Sequence, residues 1–395
     1  MQPLADVEVL DLTQSIAGPV CTQMLATMGA DVVKVEPPGG DAFRGVVDGA
    51  MFASYNLDGK RSLCVDLKTD EGRDIVGTLA ERADVVVESF RPGVLEKFDL
   101  DYASVSATNE DVVYCSITGF GQEGPYSQYP AYDPVVQAMS GLMSVIGYPD
   151  RPPVRIGASV TDCGTGANAA FMVMSALMER YRHGDGGEHI DISLFDTALS
   201  WMAYWIADYT GTGDVPERAG SGFAGLAPNS VYPAGDGELV YLCTVNDQQY
   251  ERVCEAIDRP DLLADERYET NAKRWDNRDA LREDLEAAFA AYDRDELVEA
   301  LTDAGVPAGP LQTVDEVAEE DPQVRARRML VESHNVVADR DVETARLPLR
   351  TADWLPDFAG DPPACGEHTR EVLAELGYDD ERIASLLDAG VVTAG

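Results

Sequence analysis

Five short apolar runs recur through the first 120 residues, at 7–12, 32–35, 62–66, 84–88 and 112–117. The runs at 84–88 (Asp-Val-Val-Val-Glu) and 112–117 (Val-Val-Tyr-Cys-Ser-Ile) show no apolar–polar alternation. That is how a strand covered on both faces reads. Helical stretches lie between the runs. Gly18-Pro19 opens one that extends to about residue 28, because proline is well tolerated in a first helical turn. Another is predicted over 70–82. Strand and helix alternating at this spacing restrict the fold to a parallel sheet with helices on both faces.

The rest of the chain predicts a second body. A long helix rich in small residues is expected over 161–181, a short strand over 189–193 and a further helix to about 209. The stretch 211–229 is rich in Gly, Pro and Ala and reads as a long loop, the kind that often covers or binds a ligand. A strand at 239–244 and helices at 247–257, 274–291 and 296–304 follow. With 395 residues, one core is not expected to suffice. The expected fold class is α/β: a large Rossmann-like parallel-sheet domain over 1–210 and a smaller α+β domain over 225–325. A segment over 330–395, with a helix near 371–376, is expected to return to the large domain.

Charge narrows the function. The chain has 30 basic and 71 acidic residues, a net charge of −41, and the acids are spread along its whole length. Only five basic residues are lysines: Lys34, Lys60, Lys68, Lys97 and Lys273. Such a surface repels itself at low ionic strength and is screened within a few Å in molar salt, so a high-salt cytoplasm is expected. No basic stripe exists to neutralise phosphodiesters, which excludes nucleic acid as a partner. Seven cysteines are scattered without a CxxC pair, as in a reduced cytosolic protein with neither a zinc site nor a disulfide framework. No signal-peptide pattern and no apolar run of membrane-spanning length is present, so the expected location is cytoplasmic, with no membrane partner.

Familiar catalytic signatures are missing. There is no GxGxxG between strand and helix, no Walker loop and no GxSxG elbow. That removes the support for a dinucleotide-dependent dehydrogenase on a similar sheet. The four histidines, His183, His189, His334 and His368, are not at metal-ligand spacing. No metal and no tightly bound cofactor is expected. Among the many carboxylates, Asp162 stands apart. An apolar, small-residue run, Ile156-Gly157-Ala158-Ser159-Val160, precedes it, and Cys163-Gly164-Thr165-Gly166-Ala167 follows. Glycines there let a backbone or a ligand approach closely. Two readings fit these residues: a nucleophile close to helix N–H groups, or an ordinary helix-capping aspartate.

The order of motifs resembles the family III CoA-transferases over nearly the whole chain. Val9-Leu10-Asp11-Leu12-Thr13 with Ala17-Gly18-Pro19 resembles the family's opening strand and loop. Gly29-Ala30-Asp31-Val32-Val33-Lys34-Val35-Glu36, Asn56, Lys60-Arg61-Ser62 and Asp66-Leu67-Lys68 come next. Ser89-Phe90-Arg91-Pro92-Gly93 resembles the family's N-F-R-P-G loop. Thr118-Gly119-Phe120-Gly121, Tyr132-Asp133, Ala227-Pro228-Asn229 and Gly305-Val306-Pro307-Ala308-Gly309-Pro310 complete the series.

The resemblance implies a coenzyme A thioester as substrate and Asp162 as nucleophile, passing through an aspartyl anhydride and an aspartyl-CoA thioester. It implies CoA contacts from Ile16, Ala17, Val65, Lys68, Ser89, Phe90, Arg91, Lys97 and Tyr132. It also implies a lid built on Gly220, Gly222 and Gly225, and an interlaced homodimer. Two departures stand out: Pro37-Pro38 where the family often carries arginine, and Pro130 where a basic residue is common. Arg44 or Arg61 is therefore expected to supply phosphate contacts. The salt adaptation suggests succinyl-CoA as donor and a small unsaturated diacid such as mesaconate as acceptor. The α-methylacyl-CoA racemases share the fold but place a histidine beside the aspartate where this chain has Tyr132, so transfer is favoured over epimerisation. A scaffold without catalysis would leave Asp162 chemically silent.

Overall fold

The strands expected from the apolar runs form one sheet in the computed structural model, which describes residues 2–184 and 186–395. In chain order β1 (Glu8–Leu12), α1 (Ala17–Thr27), β2 (Asp31–Glu36), α2 (Ala50–Tyr55), β3 (Arg61–Val65) and α3 (Asp70–Arg82) come first. β4 (Val85–Glu88), α4 (Tyr102–Ser106), β5 (Val113–Thr118), α5 (Asp133–Met139), α6 (Val160–His183), β6 (Glu188–Ser193) and α7 (Leu194–Trp201) follow. The parallel order is β3-β2-β1-β4-β5-β6, with Leu10 opposite both Val33 and Val86.

Successive strand residues face opposite sides, so the apolar runs serve two cores. Leu10, Leu12, Val33, Leu63, Val86 and Tyr114 pack against Ile75, Val76 and Ala80 of α3. Val9, Val32, Val85, Val87, Val113 and Cys115 pack against Cys21 and Leu25 of α1 and Ala169, Ala170 and Val173 of α6. Each large aliphatic side chain buried this way contributes about 1.5–3 kcal/mol. α6 approaches α1 closely because residue 166 is glycine: a Cβ there would lie 2.4 Å from the Ala17 carbonyl oxygen.

Residues 141–155 and 204–322 make up a second unit. The segment 141–155, expected in the large domain, belongs here, as does α8 (Ala203–Thr212) from residue 204 onward. β7 (Asn229–Pro233), β8 (Leu239–Cys243), α9 (Asp247–Ala256), α10 (Pro260–Leu263), α11 (Asn271–Asp276), α12 (Arg278–Phe289), α13 (Arg294–Asp303), β9 (Ala308–Pro310) and α14 (Val314–Glu319) complete it. Its antiparallel sheet, β7-β8-β9, packs Val240 and Leu242 against Val253, Leu285, Phe289 and Leu297. The single helix expected over 274–291 is two helices. Asn277 breaks it, its side-chain amide donating back to the Lys273 carbonyl at 2.8 Å. Asparagine competes in this way with the helical backbone.

The chain then rejoins the first unit. α15 (Pro322–Arg327) leads into an antiparallel pair absent from the sequence reading, β10 (Leu330–Asn335) and β11 (Arg340–Ala345). α16 (Thr369–Glu375) and α17 (Asp380–Asp388) supply Val372, Leu373, Ile383 and Leu386 to the first core. β12 (Val392–Thr393) pairs antiparallel with β3 and is the seventh strand of the large sheet.

Candidate active site

From β1 the chain builds outward through β2 and β3, then returns to place β4 on the other side of β1. At such a switch point the loops leaving neighbouring strands diverge and open a crevice beyond their carboxyl ends. Here the segment after β1 (Gln14, Ser15, Ala17) and the segment after β4 (Ser89, Phe90, Arg91, Pro92, Val94) wall a cavity of about 490 Å³. Thr118 at the end of β5 and Gly119 after it, with Ala42, Phe43, Tyr129, Tyr132, Asp162 and Leu194, add to the wall. The Gln14 N–H donates to Ser89 Oγ at 2.9 Å and ties the first two loops together.

Asp162 lies in the first turn of α6 and is 7% exposed. It is not the helix cap. Asp133, buried at the start of α5, does that work: its Oδ2 accepts the Thr161 N–H at 2.8 Å and the Thr161 hydroxyl at 2.5 Å. Gln137 Nε2 donates to Asp133 Oδ1 at 2.6 Å, and Gln137 Oε1 accepts the Ile156 N–H at 3.0 Å. Burial first, and the Asp133 charge second, push the Asp162 carboxyl up to about 7. Its carboxylate takes no hydrogen bond from the described residues, so its lone pairs are open to the cavity. A desolvated, unpaired carboxylate is more reactive toward an electrophilic carbonyl than a solvated one.

Of the residues singled out from sequence, the cavity gathers Asp162, Ala17, Ser89, Phe90, Arg91 and Tyr132. Tyr132 is 63% exposed, its ring centroid 6.4 Å from that of Phe43. Arg91 is exposed and forms no ion pair among the described residues, so its charge is available to an anion. Ile16 is buried beneath the loop, and Val65 sits in the core of β3. Lys68 and Lys97 are exposed and do not line this cavity.

Arg44 and Arg61 correct the expectation that either supplies the phosphate contact. Arg44 is 9% exposed and forks onto Glu36, Nε to Oε2 and Nη2 to Oε1 both at 2.7 Å, with its guanidinium 3.7 Å from the Phe52 ring centroid. Arg61 begins β3, at the opposite end of the sheet from the crevice, and is held by Asp31, Glu371 and Glu375. Gly220, Gly222 and Gly225 lie in the second unit on a tethered loop. The Gly220 N–H donates to the Gly147 carbonyl at 3.1 Å, and Asn271 Nδ2 donates to the Gly225 carbonyl at 2.8 Å.

The sequence reading passed over Gln14, Ser15, Phe43 and the capping role of Asp133. It also missed what lies under the β1 loop. Asp11, fully buried, accepts from the Thr13 N–H (2.9 Å), the Thr13 hydroxyl (2.6 Å) and the Thr22 hydroxyl (2.6 Å), and faces Lys60 Nζ at 3.4 Å. Lys60 also donates to the Pro19 carbonyl, while Lys34 donates to the Thr13 carbonyl at 2.8 Å. In a chain this poor in lysine, the presence of Lys34 and Lys60 in and beside the strand runs was the available signal. Burial alone would raise the Asp11 carboxyl; Lys34, Lys60, Thr13 and Thr22 overcome it and hold it at about 2. Among the described residues, no group of three His, Cys, Asp or Glu side chains could hold a metal ion, and no helix is long and apolar enough to cross a membrane.

Fold and cavity together define a doubly wound α/β enzyme with a carboxylate and an arginine facing one crevice. The family model for CoA-transferase family III matches residues 4–369, and the chain belongs to that family. It is 38% identical over 391 residues to succinyl-CoA:mesaconate CoA-transferase of Haloarcula hispanica, covering 95% of this chain and 97% of that one. It is also 38% identical over 386 residues to succinate–glutarate CoA-transferase of Agrobacterium fabrum, covering 95% and 96%. Among solved structures, a CAIB/BAIF family protein from Brucella suis superposes with a TM-score of 0.85 at 38% identity, covering 95% of this chain and 99% of that one. The chain is thus an enzyme of the CoA-transferase type.

Proposed function

We propose that this enzyme moves coenzyme A from succinyl-CoA to a small dicarboxylate such as mesaconate, with Asp162 carrying the acyl group. An Asp162 oxygen attacks the thioester carbonyl and the CoA thiolate leaves, giving a mixed anhydride. The thiolate attacks the aspartyl carbonyl; the donor acid departs and an aspartyl-CoA thioester remains. The acceptor carboxylate then attacks that thioester, releasing the thiolate and forming the second anhydride. Thiolate attack on the acceptor's acyl carbon gives the new acyl-CoA and restores the Asp162 carboxylate. Splitting the transfer this way keeps each activated acyl group in a site that excludes water.

The observation that carries this reading is the unpaired, nearly buried carboxylate of Asp162 in the same cavity wall as the unpaired Arg91. Arg91 is the cation assigned to the CoA phosphates, with Ser89, Phe90 and Ala17 beside it. The substrate choice is supported by the names of the relatives from Haloarcula and Agrobacterium. The net charge of −41 supports work in a salty cytoplasm. An interlaced homodimer is supported by apolar side chains left in the open: Phe171 (70% exposed) and Tyr181 (89%) on α6, and an α8 with no buried residue. Light scattering in molar KCl would report twice the chain mass.

Trapping tests the chemistry. Incubation with succinyl-CoA and hydroxylamine should leave a hydroxamate at Asp162, located by peptide mass. A panel of acids offered with succinyl-CoA should yield the most product with mesaconate or a similar diacid. Full activity in Asp162→Ala, with no adduct in the wild type, would end the reading.

A further inference from the structure

Glu88 is the last residue of β4, 5% exposed, flanked in register by Leu12 of β1 and Ser116 of β5. A carboxyl this deep must find partners within the protein. Its Oε2 accepts the Phe90 N–H at 2.7 Å, bending the chain back on itself two residues beyond the strand. Ser116 of β5 stands beside it in register and is among the groups that favour its charged form. Ser116 Oγ lies 3.1 Å from Nε2 of His189 on β6, and the His189 ring stacks on Tyr102 with centroids 4.6 Å apart. Polar side chains thus stand side by side on three adjacent strands, and the Glu88 carboxyl holds the backbone that carries Ser89, Phe90 and Arg91 into the cavity. Glu88 itself does not line that cavity.

We propose that Glu88 is the positioning residue of the acyl-CoA loop, holding the Phe90 N–H so that the turn presents Arg91 to the phosphates of the ligand. This rests on the reading of the cavity as an acyl-CoA site. Burial raises the Glu88 carboxyl to about 7, while Ser116 and the Phe90 N–H pull it down and Asp191 of β6 adds to the rise. Tyr114 and Cys115 of β5 and His189 of β6 are the other titratable groups near this chain. As pH rises through about 7, Glu88 passes from neutral to charged. The bond to Phe90 then becomes charge-assisted, about twice as strong as a neutral one. The loop is held more firmly on the alkaline side, and this favours CoA binding there against the opposing charge of Asp162, which ionises over the same range in wild type and Glu88 variants alike.

Equilibrium binding of CoA to the full-length protein, by calorimetry in high salt from about pH 5.5 to about 8.5, tests this without depending on turnover. Glu88→Ala should weaken binding by about tenfold at the alkaline end, leaving kcat at saturating acyl-CoA within about twofold. Glu88→Gln keeps a carbonyl acceptor; it should bind within about threefold of wild type and lack the wild type's extra gain above pH 7. Ser116→Ala, a milder change, should weaken binding by about three- to fivefold if Glu88→Ala does not fold. Wild-type affinity in Glu88→Ala or Ser116→Ala, or Glu88→Gln as weak as Glu88→Ala, overturns the positioning role. Failure of the wild type to bind CoA at all would overturn the acyl-CoA reading itself.

Discussion

Asp133 caps the helix that carries Asp162: its Oδ2 takes both the N–H and the hydroxyl of Thr161, at 2.8 and 2.5 Å. Two aspartates thereby divide what one residue at a helix start would otherwise combine. The cap is bonded; its neighbour's carboxylate is free and faces the cavity.

Asp162→Asn should therefore cost activity but not stability. Loss of a covalent nucleophile lowers turnover by a factor on the order of 10³ to 10⁶. The folded protein holds the Asp162 proton up to about 7, against 3.8 for the ordinary side chain. The stability gained from that proton is complete below the unfolded pKa, near 4, and is lost as pH rises through 7. At pH 8 the buried charge costs on the order of 4 kcal/mol. Asparagine carries no such cost, so the variant should be more stable than wild type at pH 8 and close to it at pH 4. Denaturant melts at the two pH values check this. A variant less stable at pH 8 would assign the carboxylate a structural role.

Asp133→Asn separates the cap from the charge. Asparagine still offers an oxygen to Thr161, whereas alanine does not. Asp133→Ala should lose about 1–3 kcal/mol, and Asp133→Asn less. The wild-type pH profile of kcat/KM should have an acid limb near 7, because Asp162 must be ionised to attack. Removing the Asp133 charge removes one cause of the raised value, so the limb should move to lower pH in Asp133→Asn. An unmoved limb would mean that another group sets it.

Arg91 lines the cavity and Arg44 follows Phe43 of its wall, yet their variants should fail differently. Arg91 has no acidic partner among the described residues, and Arg91→Gln should raise KM for acyl-CoA by about tenfold with little change in melting temperature. The effect should shrink in higher salt, since the lost contact is electrostatic and exposed. Arg44 is buried on Glu36, and Arg44→Gln leaves a charge without its partner, at a cost of about 3–5 kcal/mol. Steady-state kinetics beside thermal melts distinguish the two.

The strands of the large sheet were legible because valine runs such as Val85-Val86-Val87 have little choice but a covered sheet. The predicted helix over 70–82 coincides with α3, which opens with Thr69 bonded to the Gly72 N–H at 3.0 Å. Partnership across the fold was not legible. Arg61 and Glu375 are 314 positions apart, and Arg44 reaches the Pro363 carbonyl over 319. No local pattern reveals that these arginines are already committed. The same holds for Asp133, which caps a helix 28 residues later. Asp162 itself drew notice because glycines and small residues surround it, and its freedom from hydrogen bonds follows from a cap supplied elsewhere. The β10–β11 pair was missed because Glu332, Ser333 and His334 opposite Asp341, Val342 and Glu343 carry too little apolar alternation to read as strands.

The buried Asp11–Lys60 pair should be indifferent to salt where the acidic surface is not. Raising KCl toward molar concentration screens repulsion among exposed carboxylates and should raise the melting temperature of the wild type. Asp11 and Lys60 are both fully buried, so ions do not reach them. Asp11→Asn strands Lys60 beside Lys34 and should cost about 3–5 kcal/mol, at low and at molar KCl alike. Acid adds a second signature. Asp11 is held at about 2 when folded, so its contribution is present above the unfolded pKa, near 4, and is lost as pH falls from there through 2. Wild-type stability should fall over that window by on the order of 2 kcal/mol more than that of Asp11→Asn. Melts across a KCl series and an acid series measure both. A deficit in Asp11→Asn that disappears in molar KCl would show that solvent reaches the pair, and the loop above it would then lack the rigid floor on which Gln14 and Ser15 rest.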